Sequence, residues 1–308
     1  MQLTARDLSV MSAVARYRFL TSTQIAQLAG GSHQQILRRL QLLYHHGYLD
    51  RPRAQIVQLA HALDEGNRPF VYGLGRMGAQ ILSGAGASEI DRLDWTTKNA
   101  RATARFLAHT IETAEAMIAF ELACQGGDTP LLRDQPELLY YMPAATRVGR
   151  DPFRIRVSFT LPGYREILKI GVVPDRLFSL LVADDMRLNF ALELDRGTMD
   201  IKSKRLVGKS SFRRKLLGYY NLWKSDRHQE RWGFKSFRVL TITPSETRLE
   251  HMMAAQREIV GPTGSNLFLF TTPDRLAGRS PLADIWTTGR GATVTLLAGT
   301  GAKLPSTA

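Results

Sequence analysis

The stretch Val172–Thr198, VVPDRLFSLLVADDMRLNFALELDRGT, decides how the second half of the chain is read. Arg176–Val182 and Arg187–Leu194 are rich in Leu, Phe and Val, and Ala183-Asp184-Asp185-Met186 between them has the short polar composition of a turn. The pattern predicts a β-hairpin. If the chain reverses near Asp184–Asp185, Asp175 lies across from Leu194, beside Glu193 and Asp195. Side chains alternate along a strand, so Glu193 and Asp195 point one way while Phe190, Leu192 and Leu194 point the other. Three carboxylates then gather at the open end of a hairpin whose other face is apolar. A slip of one residue would move Asp175 to the opposite face.

Carboxylates so placed suit a hard cation, and Mg²⁺ in particular is held by one or two carboxylates together with water and phosphate. The stretch resembles the metal site of PD-(D/E)xK nucleases. Pro174-Asp175 matches the first element and Glu193-Leu194-Asp195 the second, with Asp195 standing where that motif has lysine. Asp175, Glu193 and Asp195 are therefore the candidate catalytic residues, and Asp175 and Glu193 the candidate Mg²⁺ ligands. Lys204, Lys209 or Lys215, all in the following segment, are candidates to supply the displaced lysine. The alternative is an acidic hairpin end that pairs with the basic segment after it.

That segment holds most of the charge. The chain of 308 residues has a formal net charge of +13, and residues 196–238 contain thirteen Lys/Arg against three Asp/Glu. Clustered cations favour a polyanionic partner through release of its counterions. Phe212, Leu216, Tyr219, Tyr220 and Trp223 fall at helical spacing and read as a core stripe. Lys209, Arg213, Arg214 and Lys215 accompany them as the DNA-facing set.

Upstream, Thr4 and Asp7 form a capping-box variant before Leu8, Met11, Val14 and Ala15. Thr21-Ser22-Thr23 caps a short second helix that stops at Gly30-Gly31. Ser32 opens a third, with Ile36, Leu37, Leu40, Leu43 and Tyr44 on its inner side. Two strands, Tyr48–Asp50 and Phe70–Leu74, flank a long polar loop. Three helices followed by two strands around a loop is the winged helix-turn-helix layout. Its third helix would present Ser32, His33, Gln34, Gln35, Arg38 and Arg39 to the major groove, and Arg51, Arg53 and Arg68 would suit phosphate or minor-groove contact. Gly73-Leu74-Gly75-Arg76-Met77-Gly78 superficially resembles a dinucleotide fingerprint, but it follows a wing rather than opening a βαβ unit.

Between the halves, Ser83–Ser88 reads as a small-residue hinge. Asn99–Cys124 reads as one long helix, and the resemblance to the nuclease-like fold, whose helix before the first strand can supply a further acid, makes Glu112 or Glu115 a candidate metal ligand. Leu138–Met142, Arg154–Phe159 and Ile167–Val173 read as strands. The boundaries follow: a winged-helix DNA-binding domain over 1–82, a PD-(D/E)xK-like α/β domain over 96–288, and a flexible tail over 289–308. The fold class is α+β, with an N-terminal winged helix-turn-helix and a C-terminal α/β restriction-endonuclease-like domain. The single cysteine, Cys124, excludes an intramolecular disulfide and a cysteine-built zinc site. The amphipathic, charged N-terminus and the lack of a run of about 20 apolar residues point to a cytoplasmic location with no membrane partner.

LTARD, YRFLTSTQIAQL, RRLQLLYHHGYLD, VYGLGRMGAQIL, FLAHTIETAEAMIAF, VPDRLFSL, ELDRGT and KLLGYYNLW, in that order and spacing, resemble the replication-relaxation family of plasmids and integrative elements. The resemblance implies a winged-helix part followed by a nuclease-like domain, and a role in replication, relaxation or transfer of mobile DNA. It highlights Asp175, Glu193, Asp195, Arg196, Lys215 and Tyr219. Double-stranded DNA is the expected partner, alongside proteins of a replication or transfer complex. Two alternatives stand beside it: a Mg²⁺-dependent endonuclease or nickase, and a winged-helix transcriptional regulator.

Overall fold

The structure is a computed structural model that describes residues 1–55, 69–84, 94–125, 130–161, 165–182, 186–201 and 211–297. Arg68, the centre of the hinge, the hairpin turn at 183–185, Lys204, Lys209 and the last eleven residues lie outside the described residues. The fold is of the α+β class, as the residue patterns indicate. It divides into two compact units, 1–118 and 119–308.

In the first unit, α1 (Ala5–Tyr17), β1 (Phe19–Thr21), α2 (Ser22–Ala29) and α3 (His33–His45) lead to β2 (Leu49–Asp50) and β3 (Val71–Leu74). The strands form an antiparallel sheet in the order β1-β3-β2. β1 is an addition to the sequence-based expectation, which ran Phe19–Thr21 straight into the next cap. Both capping boxes form: Thr4 with Asp7 on α1, and Thr21 with Gln24 on α2. Met11, Val14, Ile25, Ile36, Leu40 and Leu43 are the buried stripes of the three helices, and that burial stabilises helices too short to persist alone.

The glycine run after β3 has a packing cause. A Cβ on Gly75 would sit 2.3 Å from the Gly47 carbonyl oxygen, and one on Gly78 would sit 2.2 Å from that of Tyr48. Gly75 and Gly78 let α4 (Arg76–Gly84) lie directly on the backbone leading into β2.

Two short-range expectations fail between 94 and 142. Asn99–Cys124 is not one helix: α5 (Trp95–Ala100) ends before α6 (Ala104–Ala123) begins. The break lies where buried Asn99 donates to the Leu74 carbonyl and the Asp50 carboxylate, at 2.9 and 3.0 Å, and where Thr103 accepts from the Phe106 amide. The division between units falls inside α6 rather than at the Ser83–Ser88 hinge.

The second unit opens with β4 (Leu131–Arg133), α7 (Gln135–Tyr141) and α8 (Ala144–Arg147). Leu138–Met142 is therefore mostly helical, not a strand. Asp134 and Glu137 form a capping box that starts a helix the apolar content alone did not disclose. β5 (Ile155–Phe159) and β6 (Leu168–Val172) form a separate antiparallel pair. Then come β7 (Arg176–Leu181), β8 (Arg187–Leu194), α9 (Phe212–Lys224), α10 (Arg227–Trp232), β9 (Arg238–Ile242), α11 (Glu246–Val260), β10 (Phe268–Thr271), α12 (Pro273–Leu276), β11 (Trp286–Thr288) and β12 (Thr293–Val294).

The main sheet has the order β12-β11-β10-β9-β8-β7-β4. β7 and β8 are the predicted hairpin, and β8, β9 and β10 run parallel, joined by helical crossovers. Both faces of the hairpin are covered, which corrects the picture of one apolar and one acidic face. Phe178 and Phe190 stack with centroids 5.3 Å apart, and Phe120 packs on Phe178 at 4.7 Å. Leu177 and Ala191 instead join the core beneath α9 and α11. The expected tail from Gly289 is also corrected, since β12 pairs with β11 and Leu296 and Leu297 are buried. Cys124, at the end of α6, is half-buried, and burial pushes its thiol up to about 12. Among the described residues no helix is long and apolar enough to cross a membrane.

Candidate functional site

The hairpin register differs by one residue from the expected alignment. Arg176 pairs with Leu192, which carries Asp175 opposite Glu193. Asp175 Oδ2 accepts from the Leu194 amide at 2.8 Å, so its carboxylate closes the open end of the hairpin. Directly opposed residues share a face, so the expected pairing with Leu194 would have turned Asp175 away from Glu193, and the slip is what brings the two acids together.

Glu193 is buried at 3% exposure, a costly location for a carboxylate unless it is compensated. Compensation comes from α9. Lys215 Nζ forms an ion pair with Glu193 Oε2, and the Tyr219 hydroxyl donates to Oε1 at 2.5 Å. Lys215 and Tyr219 are four apart and so share one face of the helix. α9 starts on an Ser211 cap, with the Ser211 hydroxyl accepting from the Arg214 amide. It approaches β6 closely because residue 218 is glycine: a Cβ there would meet Val172 Cγ2 at 2.9 Å and Ile170 Cγ2 at 3.0 Å.

Between β6, the end of β8 and the first turns of α9 lies a cavity of about 130 Å³. Gly171, Glu193, Ser211, Arg214, Lys215 and Tyr219 contribute to its wall. Arg214 Nη2 donates to the Lys169 carbonyl at its rim, at 3.0 Å.

Burial first, and then the charge of Asp175, push Glu193 up to about 7, against the opposing pull of Lys215 and Tyr219. Burial works against the Lys215 ammonium, but Glu193 and then Asp175 outweigh it and hold its pKa above the usual lysine value. Burial and the neighbouring Glu193 raise the Tyr219 phenol well above its ordinary range, so it remains a donor. The group comprises a carboxylate that exchanges its proton near neutrality, a fixed ammonium and a second carboxylate. Such a set is suited to proton transfer beside an anion.

Asp195 plays a different part. Arg248 of α11 holds it through Nε at 2.5 Å and Nη2 at 2.9 Å, and the Thr243 hydroxyl donates to it at 2.9 Å. Where the nuclease motif has lysine, this chain has an acid neutralised by an arginine from another helix. Asp195 thus anchors β8 to α11, while its charge still reaches Lys215. Glu115 accepts from Gln24 Nε2 at 2.7 Å within the first unit. Among the described residues no group of three or more His, Cys, Asp or Glu is arranged to hold a metal ion.

On α3, His33, Gln34, Gln35 and Arg38 are exposed, as is Ser32 at its start. Leu37, expected inside, is 36% exposed on the same helix. Arg39, a base-contact candidate in the sequence, has a structural role. Its guanidinium grips the buried Asp7 carboxylate at 2.7 and 2.5 Å and the Gln2 carbonyl at 2.7 Å. Burial raises Asp7, but hydrogen bonds from Arg39 and Thr4 outweigh it and leave the carboxyl below its usual pKa. Arg51 sits over the rings of Tyr44, Phe70 and Tyr72 at 4.4, 4.2 and 5.1 Å, and it donates to the Tyr72 hydroxyl. Arg53 is exposed. Arg213 is paired with Glu258.

The model of the replication-relaxation family matches residues 11–236. The chain belongs to the replication-relaxation family. The match spans every element named above from most of α1 through α10, and so includes Asp175, Glu193, Lys215 and Tyr219. No curated protein and no solved structure matches the chain significantly. For this member of the family, helical spacing alone put Tyr219 in the apolar stripe of α9, and it was the family resemblance that singled it out. The local signal was its i, i+4 spacing from Lys215. Arg248 carried no signal, since its partner lies 53 residues away.

Proposed function

We propose that this replication-relaxation protein binds double-stranded DNA and acts on it during replication, relaxation or transfer of a plasmid or integrative element. In this reading the first unit is a winged helix that reads the duplex with Gln34, Gln35 and Arg38, while Arg53 touches its backbone. The second unit is a PD-(D/E)xK-like domain that engages a phosphate at the Glu193–Lys215 cavity. One observation carries the proposal: Lys215 from α9 pairs with Glu193 beside Asp175. This restores, from a helix, the acid–lysine pairing that the sequence motif lacks. It also matches the alternative that the acidic end pairs with the basic segment, and a phosphate replacing Glu193 as the partner of Lys215 reconciles the two.

A second reading, a Mg²⁺-dependent endonuclease or nickase, is favoured by the pairing of two carboxylates across the hairpin end. Asp175 and Glu193 are the donor chemistry a hard cation takes, and they would hold it. Mg²⁺ would supply charge neutralisation and a more acidic bound water. Both Glu193 oxygens are engaged by Lys215 and Tyr219, so cation binding would compete with Lys215.

Supercoiled plasmid incubated with the protein, with Mg²⁺ or with EDTA, tests both. Retarded plasmid in either buffer, weakened in Lys215→Met and in Arg38→Ala, is the expected result. Plasmid that migrates unretarded at low salt sinks the binding proposal. Relaxed circles formed only with Mg²⁺, and lost in Asp175→Asn, establish the second reading.

A further inference from the structure

We infer that the second unit carries a separate face for single-stranded DNA, built from Tyr140, Tyr141, Arg147, Arg150, Arg187 and Arg231. Tyrosine is intermediate in burial on average, yet two adjacent tyrosines, Tyr140 at 80% and Tyr141 at 52%, are exposed at the C-terminal end of α7. The Arg187 guanidinium lies 5.3 Å from the centre of the Tyr141 ring. Tyr141 also leads into the arginine-bearing segment. Its carbonyl lies 3.3 Å from where a Cβ of Gly233 would be, and Arg231 Nη2 lies 4.0 Å from that of Gly149. Gly149 sits between the exposed Arg147 and Arg150. The Trp232 indole donates to the Phe153 carbonyl and fixes α10 against this segment.

The charge is complementary to a phosphate backbone. Among the described residues Arg147, Arg150, Arg187 and Arg231 have no carboxylate partner, whereas nearby Asp151 is engaged by Arg154. Glu230, exposed on α10, is an acid beside Arg231, and it leaves the balance positive. Exposed rings among cations are how proteins hold unpaired bases, each stacking on an aromatic face while arginine tracks the backbone. A duplex keeps its base faces stacked inside and offers such rings nothing to stack on.

This face is remote from the Glu193 cavity. Arg187 and Glu193 stand six residues apart on β8, roughly 20 Å at about 3.3 Å per residue. α7 lies along the hairpin, its Asp134 cap bonded to Arg176 at 3.0 Å toward one end and Tyr141 under Arg187 toward the other. The inference therefore does not rest on the duplex-binding proposal.

Fluorescence anisotropy of the 308-residue chain with a labelled oligo-dT strand and with a labelled duplex of equal length tests it. The double variant Tyr140→Ala/Tyr141→Ala should weaken oligo-dT binding by about 5- to 150-fold, the range of one stacked base, and leave duplex affinity within about twofold. Tyr140→Phe/Tyr141→Phe, which keeps the rings, should bind oligo-dT like the parent chain. Arg147→Ala/Arg150→Ala should weaken oligo-dT binding and reduce its salt dependence. Oligo-dT affinity unchanged in the alanine pair overturns the inference, as does an equal loss for strand and duplex. A change in sedimentation coefficient in the alanine pair, with strand binding intact, assigns the face to protein contact instead. Oligo-dT binding that survives while duplex binding is absent supports this face and defeats the duplex proposal alone.

Discussion

Glu193 is the residue on which the second unit's chemistry turns, and its burial has a sign that can be measured. Its folded-state pKa, about 7, lies above the ordinary carboxylate value of 4.5. Between these values the folded chain binds more protons than the unfolded one, so stability falls as pH rises from about 4.5 to about 7 and levels off above that. The size is on the order of 3 kcal/mol, at about 1.4 kcal/mol per unit. Urea unfolding followed at several pH values should show this decline, and Glu193→Gln should flatten it. A variant with the parent's slope would mean that another group titrates there. Asp175 and Glu193 were legible because acids flanking two apolar runs stand out. Their alignment was not, since the turn that sets the register leaves one residue of freedom. Arg38 and Arg39 show the same limit: neighbouring arginines look alike until Asp7, 32 positions away, claims one of them.

Among the elements, α9 does most to assemble the site, and Gly218 sets how near it comes. Alanine there would gain about 1 kcal/mol of helix propensity, but its methyl would meet Val172 and Ile170 at 2.9–3.0 Å. We expect Gly218→Ala to destabilise by a net ~1–2 kcal/mol, as overpacking does, and to move Lys215 and Tyr219 from Glu193. Gly84→Ala, where a Cβ meets nothing within 4 Å, should stay within about 0.5 kcal/mol. Equal denaturation midpoints for the two variants would contradict the packing argument. The hairpin, the Thr4–Asp7 capping box, the cap of α2 and α9 itself were readable because each rests on local spacing. α7 was misread because LLYYM suits strand and helix alike, and the Asp134–Glu137 box decides it. β4, β11 and β12 are short, and what makes them strands is pairing with partners elsewhere in the sheet.

For the molecule as a whole, family membership and charge are the properties that need no geometry. Lys215, Arg213, Arg39 and Arg248 all hold carboxylates, and because each such pair cancels, the net charge of +13 is left over after them. The remainder predicts a duplex affinity whose logarithm falls linearly with the logarithm of salt concentration. Six or more phosphate contacts would give a loss of roughly 10³-fold or more between 50 and 200 mM. A binding isotherm indifferent to salt over that range would exclude a phosphate-dominated interface.

The lone thiol has a practical consequence. With its pKa near 12, Cys124 is almost wholly protonated in neutral buffer and a poor nucleophile. A cysteine installed at an exposed position such as Leu37 on α3 or Tyr140 on α7 would take a maleimide dye nearly alone. Each unit can thereby be given its own optical reporter without first stripping the native sulfur from the chain.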